Sequence, residues 1–175
     1  MNEILELKKL IRDVPDFPKK GIMFKDITPM LENAQGLASS INQMALMCKD
    51  LKISKIVAME SRGFIFGVPL AVKLGVGFVP LRKPGKLPYK TIKESYALEY
   101  GTDTLEMHED AISKGEKILI VDDLLATGGT ARGAAKLVEK CGGEVIGFLF
   151  AIELGFLKGK EKLSNYNVRS MITYE

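Results

Sequence analysis

The sequence predicts an α/β fold, a parallel sheet with helices on both faces, and three observations predict it. Short apolar runs recur at Lys55 to Met59, Gly77 to Leu81, Lys117 to Asp123 and Glu144 to Leu154. Stretches with helical apolar spacing lie between them, and Gly-containing turns punctuate the handovers. Strands buried on both faces read as near-continuous apolar runs, and strands that alternate with helices assemble into a parallel sheet.

Taken in order, Glu3 to Val14 places Ile4, Leu7, Ile11 and Val14 at helical spacing, and Pro15 and Pro18 forbid continuation, so one helix is expected there. PKKGIMFKDITPML, from Pro18 to Leu31, mixes Gly, Pro and short apolar pairs and reads as a loop with a brief extended piece around Met23. Leu37, Ile41, Met44, Ala45, Cys48 and Leu51 restore the helical period from Ala34 to Leu51. KIVAM then reads as a buried strand, Glu60-Ser61-Arg62-Gly63 as a tight turn that opens a helix through Phe66, Leu70 and Leu74, and GFVPL as a second strand, together a βαβ unit. Thr91 to Glu109 alternates loosely and is rich in polar groups, which suits a mobile hairpin or lid. After it come a strand (KILIVDD), a loop (LLATGG), a helix closed by Gly142, a strand (EVIGFLFAIEL), a last helix near Phe156 to Leu163 and a terminal strand around Val168 to Ile172.

The bulk numbers fit one domain. At 175 residues, 46% hydrophobic and 27% charged, the chain has the length to bury a core and the composition of a globular protein. Cys48 and Cys141 have no metal-ligand or disulfide spacing, which points to a reducing, cytoplasmic setting. The N-terminus lacks the apolar core of a secretory signal, and no stretch approaches the roughly 20 apolar residues that span a bilayer, so no membrane is expected. A formal charge of +3, with acids and bases interspersed, does not imply nucleic acid. The basic residues do gather once, where Arg82, Lys83, Lys86, Lys90 and Lys93 surround Pro84, Gly85 and Pro88.

The chemistry concentrates in ILIVDDLLATGGTARGAAKLVEK, where an apolar strand ends in two carboxylates, a short loop follows, and a helix begins near Thr130. Ligands of open α/β sheets sit beyond the carboxyl ends of the strands. Gly128 and Gly129 let backbone N–H groups approach an anion, Thr127 and Thr130 add hydroxyls, and the helix N-terminus adds a favourable dipole, which makes a phosphate cradle. Asp122 and Asp123 would repel a phosphate, so they are expected to face hydroxyls or a cation. Phosphate on one side and a diol on the other describe ribose 5-phosphate. An acid pair alone would more simply end a strand and cap a helix; the combination argues otherwise.

Here the chain resembles the type I phosphoribosyltransferases, whose donor motif is two acids after an apolar strand followed by a Thr-Gly-Gly-Thr loop; Val121 to Thr130 matches it closely. FPKKGIMFKDIT, ESRGFIFG, LRKPGKLP and SYALEYGTDTLEMH, in this order, are similar to the adenine-using members over nearly the whole chain. The resemblance implies a single domain over 1–175, with an N-terminal helix and hood loop over 1–33 and a flexible hairpin lid over 89–109. It implies transfer of the phosphoribosyl group of phosphoribosyl pyrophosphate to adenine, forming AMP and pyrophosphate, with Mg²⁺ bound mainly through substrate oxygens and the protein pairing as a homodimer.

The same resemblance assigns residues. Ala126, Thr127, Gly128, Gly129 and Thr130 would hold the 5-phosphate, with Asp122 and Asp123 facing the ribose. Glu60, Ser61 and Arg62 would present Arg62 and backbone N–H groups to the pyrophosphate, with an unusual peptide between Glu60 and Ser61. Arg82, Lys83 and Lys86 would neutralise the leaving group. Glu99 matches the carboxylate that handles the purine proton, with Tyr100 beside it in a lid that excludes water. Met23, Phe24 and Lys25 would meet the base, Phe24 stacking on the ring, with Leu124 beneath it; Lys25 stands where many relatives carry Arg, and lacks its forked donor. Arg62, Lys86 and Glu99 form the implied catalytic set. His108, the one histidine, lies in an acidic stretch without an evident partner and receives no role.

Other readings stay open on the residues alone. Hypoxanthine, guanine, xanthine or orotate could replace adenine, because discrimination rests on hydrogen bonds at the purine 6-position that a sequence shows poorly. A donor-sensing regulator would keep the site without the reaction, but no segment of helix-turn-helix size is left over. Neither GxxxxGK[ST] nor GxGxxG is present, which disfavours nucleoside triphosphatases and dinucleotide oxidoreductases.

Overall fold

The computed structural model describes residues 3–97 and 101–175. Helix α1 (Glu3–Lys9) leads into a small antiparallel pair, β1 (Arg12–Pro15) and β2 (Met23–Asp26), followed by α2 (Thr28–Glu32) and α3 (Ala34–Leu46). Strand β3 (Lys55–Met59), α4 (Arg62–Leu74) and β4 (Gly77–Leu81) form the expected βαβ unit. The hairpin β5 (Thr91–Ala97) and β6 (Thr102–His108) precedes β7 (Lys117–Leu125), α5 (Gly129–Lys140), β8 (Glu144–Leu154), two short 3-10 turns (Gly155–Leu157 and Gly159–Leu163) and β9 (Val168–Tyr174).

Five strands make one parallel sheet in the order β4-β3-β7-β8-β9. In the body of β7, successive side chains serve opposite faces, as the pleat requires. Leu119 and Val121 join Ile41, Met44, Phe66 and Leu70 beneath α3 and α4, whereas Ile118 and Ile120 join Ala134, Leu137 and Val138 beneath α5. Both faces are therefore covered, which explains the uninterrupted apolar run from Ile118 to Val121.

Five expectations about the elements need correction. Helix α3 ends at Leu46 rather than Leu51, and β7 runs on through Leu124 and Leu125, which pair with Ile152 and Glu153 of β8. The N-terminal helix stops at Lys9, and Val14 lies in β1, where pairing with Phe24 takes it out of helical geometry. The expected loop from Pro18 to Leu31 contains α2, with Pro29 in its first turn, where a missing N–H costs nothing. The last helix is two 3-10 turns, divided where Lys158 adopts a left-handed φ of 54°.

The hairpin is present but docked. Tyr96, Leu105 and Met107 are buried in the α5-side core, and Glu94 forms ion pairs with Lys136 and Lys140 of α5. A lid that swings as one piece over 89–109 would have to break these contacts. The sheet's main consequence lies at its carboxyl edge. Strands β3 and β7 are neighbours, yet α4 and α5, which follow them, leave to opposite faces, so a crevice opens between the two turns.

Candidate active site

The crevice holds two adjoining cavities. One, about 350 Å³, is lined by the turn after β3 (Glu60, Ser61, Arg62), by Lys83, by Tyr96, Asp103 and Leu105 of the hairpin, and by Asp122, Asp123 and Thr130. The other, about 240 Å³, is lined by Arg62, by the stretch from Asp122 to Ala131, and by Phe150. Arg62, Asp122, Asp123 and Thr130 border both, so the two form one cleft.

The loop from Ala126 to Thr130 is a backbone device. Gly128 caps α5 with φ of 78°, a left-handed conformation that side-chain-bearing residues rarely adopt, and this turns the loop into the first helical turn. The initial N–H groups of α5 thus open toward the cleft, where an anion is favoured by hydrogen bonding and by the dipole.

The turn after β3 is a device of ion pairs. The peptide between Glu60 and Ser61 is cis. The Glu60 side chain, 8% exposed, accepts from Arg82 Nε at 2.6 Å and from the Lys83 backbone N–H at 3.0 Å, and Lys86 Nζ lies 3.4 Å away. Burial alone would raise its pKa, but these donors outweigh that and hold it below the usual value. Across the cleft, Arg62 Nε lies 2.6 Å from Asp123 Oδ2.

Asp122 and Asp123 form a coupled acid pair. Burial, and then the charge of Asp123 beside it, raise the Asp122 carboxyl well above the ordinary range; burial also raises Asp123, with Arg62 opposing. Asp122 Oδ1 accepts the backbone N–H of Asp123 at 2.9 Å. Desolvated acids of this kind gain when a ligand supplies hydroxyl donors or a cation.

Most of the residues singled out from the sequence meet here, with two polar residues that were not. Tyr96 and Asp103 stand opposite each other in the hairpin, and the Tyr96 hydroxyl donates to Asp103 Oδ2 at 3.2 Å and interacts with Thr130. Asp103 also holds the Lys83 ammonium, which keeps that lysine's pKa raised despite burial. Their signal was positional: the antiparallel pairing of β5 with β6 sets Tyr96 and Asp103 opposite each other as cross-strand neighbours. Glu99 and Tyr100 lie outside the described residues.

The β2 residues divide. Phe24 and Asp26 share one face of the strand; Phe24 lies with its ring 5.7 Å from the Arg62 guanidinium and edge-on to Phe17, and Asp26 feels the Arg62 charge. Lys25 points to the other face, where Asp13 Oδ1 is 2.5 Å away and the Tyr174 ring lies beneath its ammonium at 4.1 Å. A period of two separates Lys25 from Phe24, so its side chain lies on the face of β2 away from Arg62. Met23 is exposed, and Leu124 lines the cleft. His108 borders a separate cavity of about 270 Å³ with Lys55, Phe78 and Ala111.

A family model, the phosphoribosyl transferase domain, matches residues 23–173. The chain belongs to that family. It is 57% identical to the adenine phosphoribosyltransferase of Kosmotoga olearia over 97% of this chain and 100% of that one. Among solved structures, the adenine phosphoribosyltransferase of Thermoanaerobacter pseudethanolicus superposes with a TM-score of 0.96 at 54% identity, covering 98% of this chain and 99% of that one. The enzyme of Saccharomyces cerevisiae, complexed with an imino-altritol bisphosphate and adenine, superposes with a TM-score of 0.92 at 43% identity, covering 97% of this chain and 98% of that one.

Proposed function

We infer that this phosphoribosyltransferase transfers the phosphoribosyl group of phosphoribosyl pyrophosphate to adenine, releasing AMP and pyrophosphate in a purine-salvage reaction. The observation that carries this reading is a single cleft in which a neutral N–H cradle, an acid pair and a group of held cations converge, on a chain that matches an adenine phosphoribosyltransferase over 97% of its length.

In this reading the 5-phosphate sits on the N–H groups and hydroxyls of Ala126 to Thr130, and the ribose hydroxyls meet Asp122 and Asp123. Arg62, Arg82, Lys83 and Lys86 receive the pyrophosphate, exchanging part of their pairing with Asp123, Glu60 and Asp103 for phosphate oxygens. Adenine lies between Phe24 and Leu124, its N9 attacking the ribose carbon as the carbon–oxygen bond to pyrophosphate breaks; Glu99 takes up the purine proton. Catalysis is positioning plus stabilisation of charge on the leaving group.

Among the described residues no three metal-ligating side chains converge, yet Asp122 and Asp123 are hard oxygen donors of the type Mg²⁺ favours when most of its ligands come from substrate and water. They would hold Mg²⁺ together with donor oxygens, and the ion would offset pyrophosphate charge. We also propose a homodimer, supported by the exposed apolar Val68 and Val72 of α4 and Leu46 of α3, and a cytoplasmic setting, supported by the free thiols of Cys48 and Cys141.

A base panel tests the reaction. With Mg²⁺ and phosphoribosyl pyrophosphate, adenine alone among adenine, hypoxanthine, guanine, xanthine and orotate should be consumed. Consumption of hypoxanthine or guanine instead would overturn the acceptor, and donor binding without turnover on any base would favour the sensing regulator.

A further inference from the structure

The chain between β8 and β9 packs beneath the Ala126–Thr130 loop. Glu153, near the end of β8, stands opposite Leu125 at the end of β7, and its side chain is only 6% exposed. A buried carboxylate requires hydrogen-bond donors or a counter-charge. Oε2 of Glu153 has no hydrogen-bond partner among the described residues; its compensation is the Lys160 ammonium, 2.6 Å away. Lys160 belongs to the second 3-10 turn, whose far end is fixed by the fully buried Leu163.

Between these anchors the backbone of Gly159 presses on the loop. A Cβ on Gly128 would sit 2.5 Å from the Gly159 carbonyl oxygen, and a Cβ on Gly159 would run into the Ala126 carbonyl oxygen. The two stretches meet backbone to backbone, so a small shift of one must displace the other. Neither Glu153 nor Lys160 lines the cleft.

We propose that Glu153 and Lys160 are positioning residues for the donor: their ion pair clamps Gly159 against Ala126 and Gly128, and the clamp sets the spacing of the N–H groups that receive the 5-phosphate. The proposal rests on assigning that phosphate to this loop, as the proposed function does. It requires affinity for the donor to depend on a charge pair that never touches it.

The test compares Lys160→Met, Lys160→Arg and Glu153→Gln by steady-state kinetics and by equilibrium dialysis with ribose 5-phosphate, with Glu153→Gln breaking the pair independently should Lys160→Met fold poorly. Both pair-breaking variants should raise KM for phosphoribosyl pyrophosphate and weaken ribose 5-phosphate by about tenfold or more, since a displacement on the order of 1 Å far from the chemistry has costs of this size. KM for adenine should stay within about twofold, and Lys160→Arg should restore most of the loss. Lower thermal stability with unchanged constants, equal rises in both KM values, or no rescue by Arg would overturn the clamp. Thr127→Ala separates the two claims. If it weakens ribose 5-phosphate while the pair-breaking variants do not, only the clamp fails; if it also leaves that affinity unchanged, the 5-phosphate assignment fails as well.

Discussion

Two turns stand side by side at the carboxyl edge of the sheet, one after β3 and one after β7, and they would receive the anions of the proposed reaction by opposite means. The turn after β3 works through charge: buried Glu60 gathers Arg82, Lys86 and the Lys83 N–H, so the cations are oriented before a ligand arrives. The turn after β7 carries no cation; it offers N–H groups and hydroxyls, shaped by a left-handed Gly128 and pressed by Gly159. Held cations can follow a leaving group whose charge grows, whereas a backbone cradle fixes a group that must stay still. The first device should be sensitive to salt and the second to shape.

The largest effect should come where the two devices meet. Replacing Asp122 and Asp123 together by Asn removes the groups proposed to face the ribose, and turnover should fall by about a hundredfold or more with the fold intact, checked by kcat and circular dichroism. Unchanged turnover would remove the acid pair from the site. Next, Gly129→Ala places a Cβ 2.7 Å from the Ala97 carbonyl oxygen. It should raise KM for the donor severalfold and cost about 1–3 kcal/mol of stability, measured by denaturant titration. On the charged side, Arg82→Ala leaves buried Glu60 short of its closest counter-charge. It should cost about 2 kcal/mol and weaken pyrophosphate, with a shallower salt dependence of binding than the parent shows.

The acid pair also makes a prediction about pH. An acid whose pKa is higher folded than unfolded costs stability as pH climbs from the unfolded value through the folded one, and both Asp122 and Asp123 are raised. Asp122→Asn should therefore raise the ligand-free Tm by about 3 °C at neutral pH, an advantage that vanishes near about pH 4. A lower Tm at neutral pH would contradict the direction of that shift. The smallest effect belongs to Lys25→Ala, which touches neither turn: KM for adenine should change less than about twofold. A large rise would return Lys25 to the base pocket.

How legible this was depended on whether a residue's role is local. Strands β3, β4 and β8 run over the spans that their apolar runs mark, because covered strands are almost continuously apolar; the buried stretches of β3 and β8 hold Glu153 as their single polar side chain. The loop from Ala126 to Thr130 was readable for a similar reason: an N–H cradle at a helix start is made by consecutive residues. The rest is set by pairing. Val14 reads as helical until β2 is there to receive it, and the side chains of Phe24 and Lys25 are not told apart until the strand places Phe24 toward Arg62 and Lys25 toward Tyr174. Asp103 looks like a solvated acid in a polar hairpin until the register sets it beside Tyr96 and the Lys83 ammonium.

The division of labour between the turns is tested most directly by calorimetric titration of ribose 5-phosphate and of pyrophosphate into Gly129→Ala and Arg82→Ala. Gly129→Ala should lose affinity for ribose 5-phosphate and keep pyrophosphate, and Arg82→Ala should do the reverse. If both variants lost the same ligand, or each lost both to the same extent, the two turns would not be separate devices.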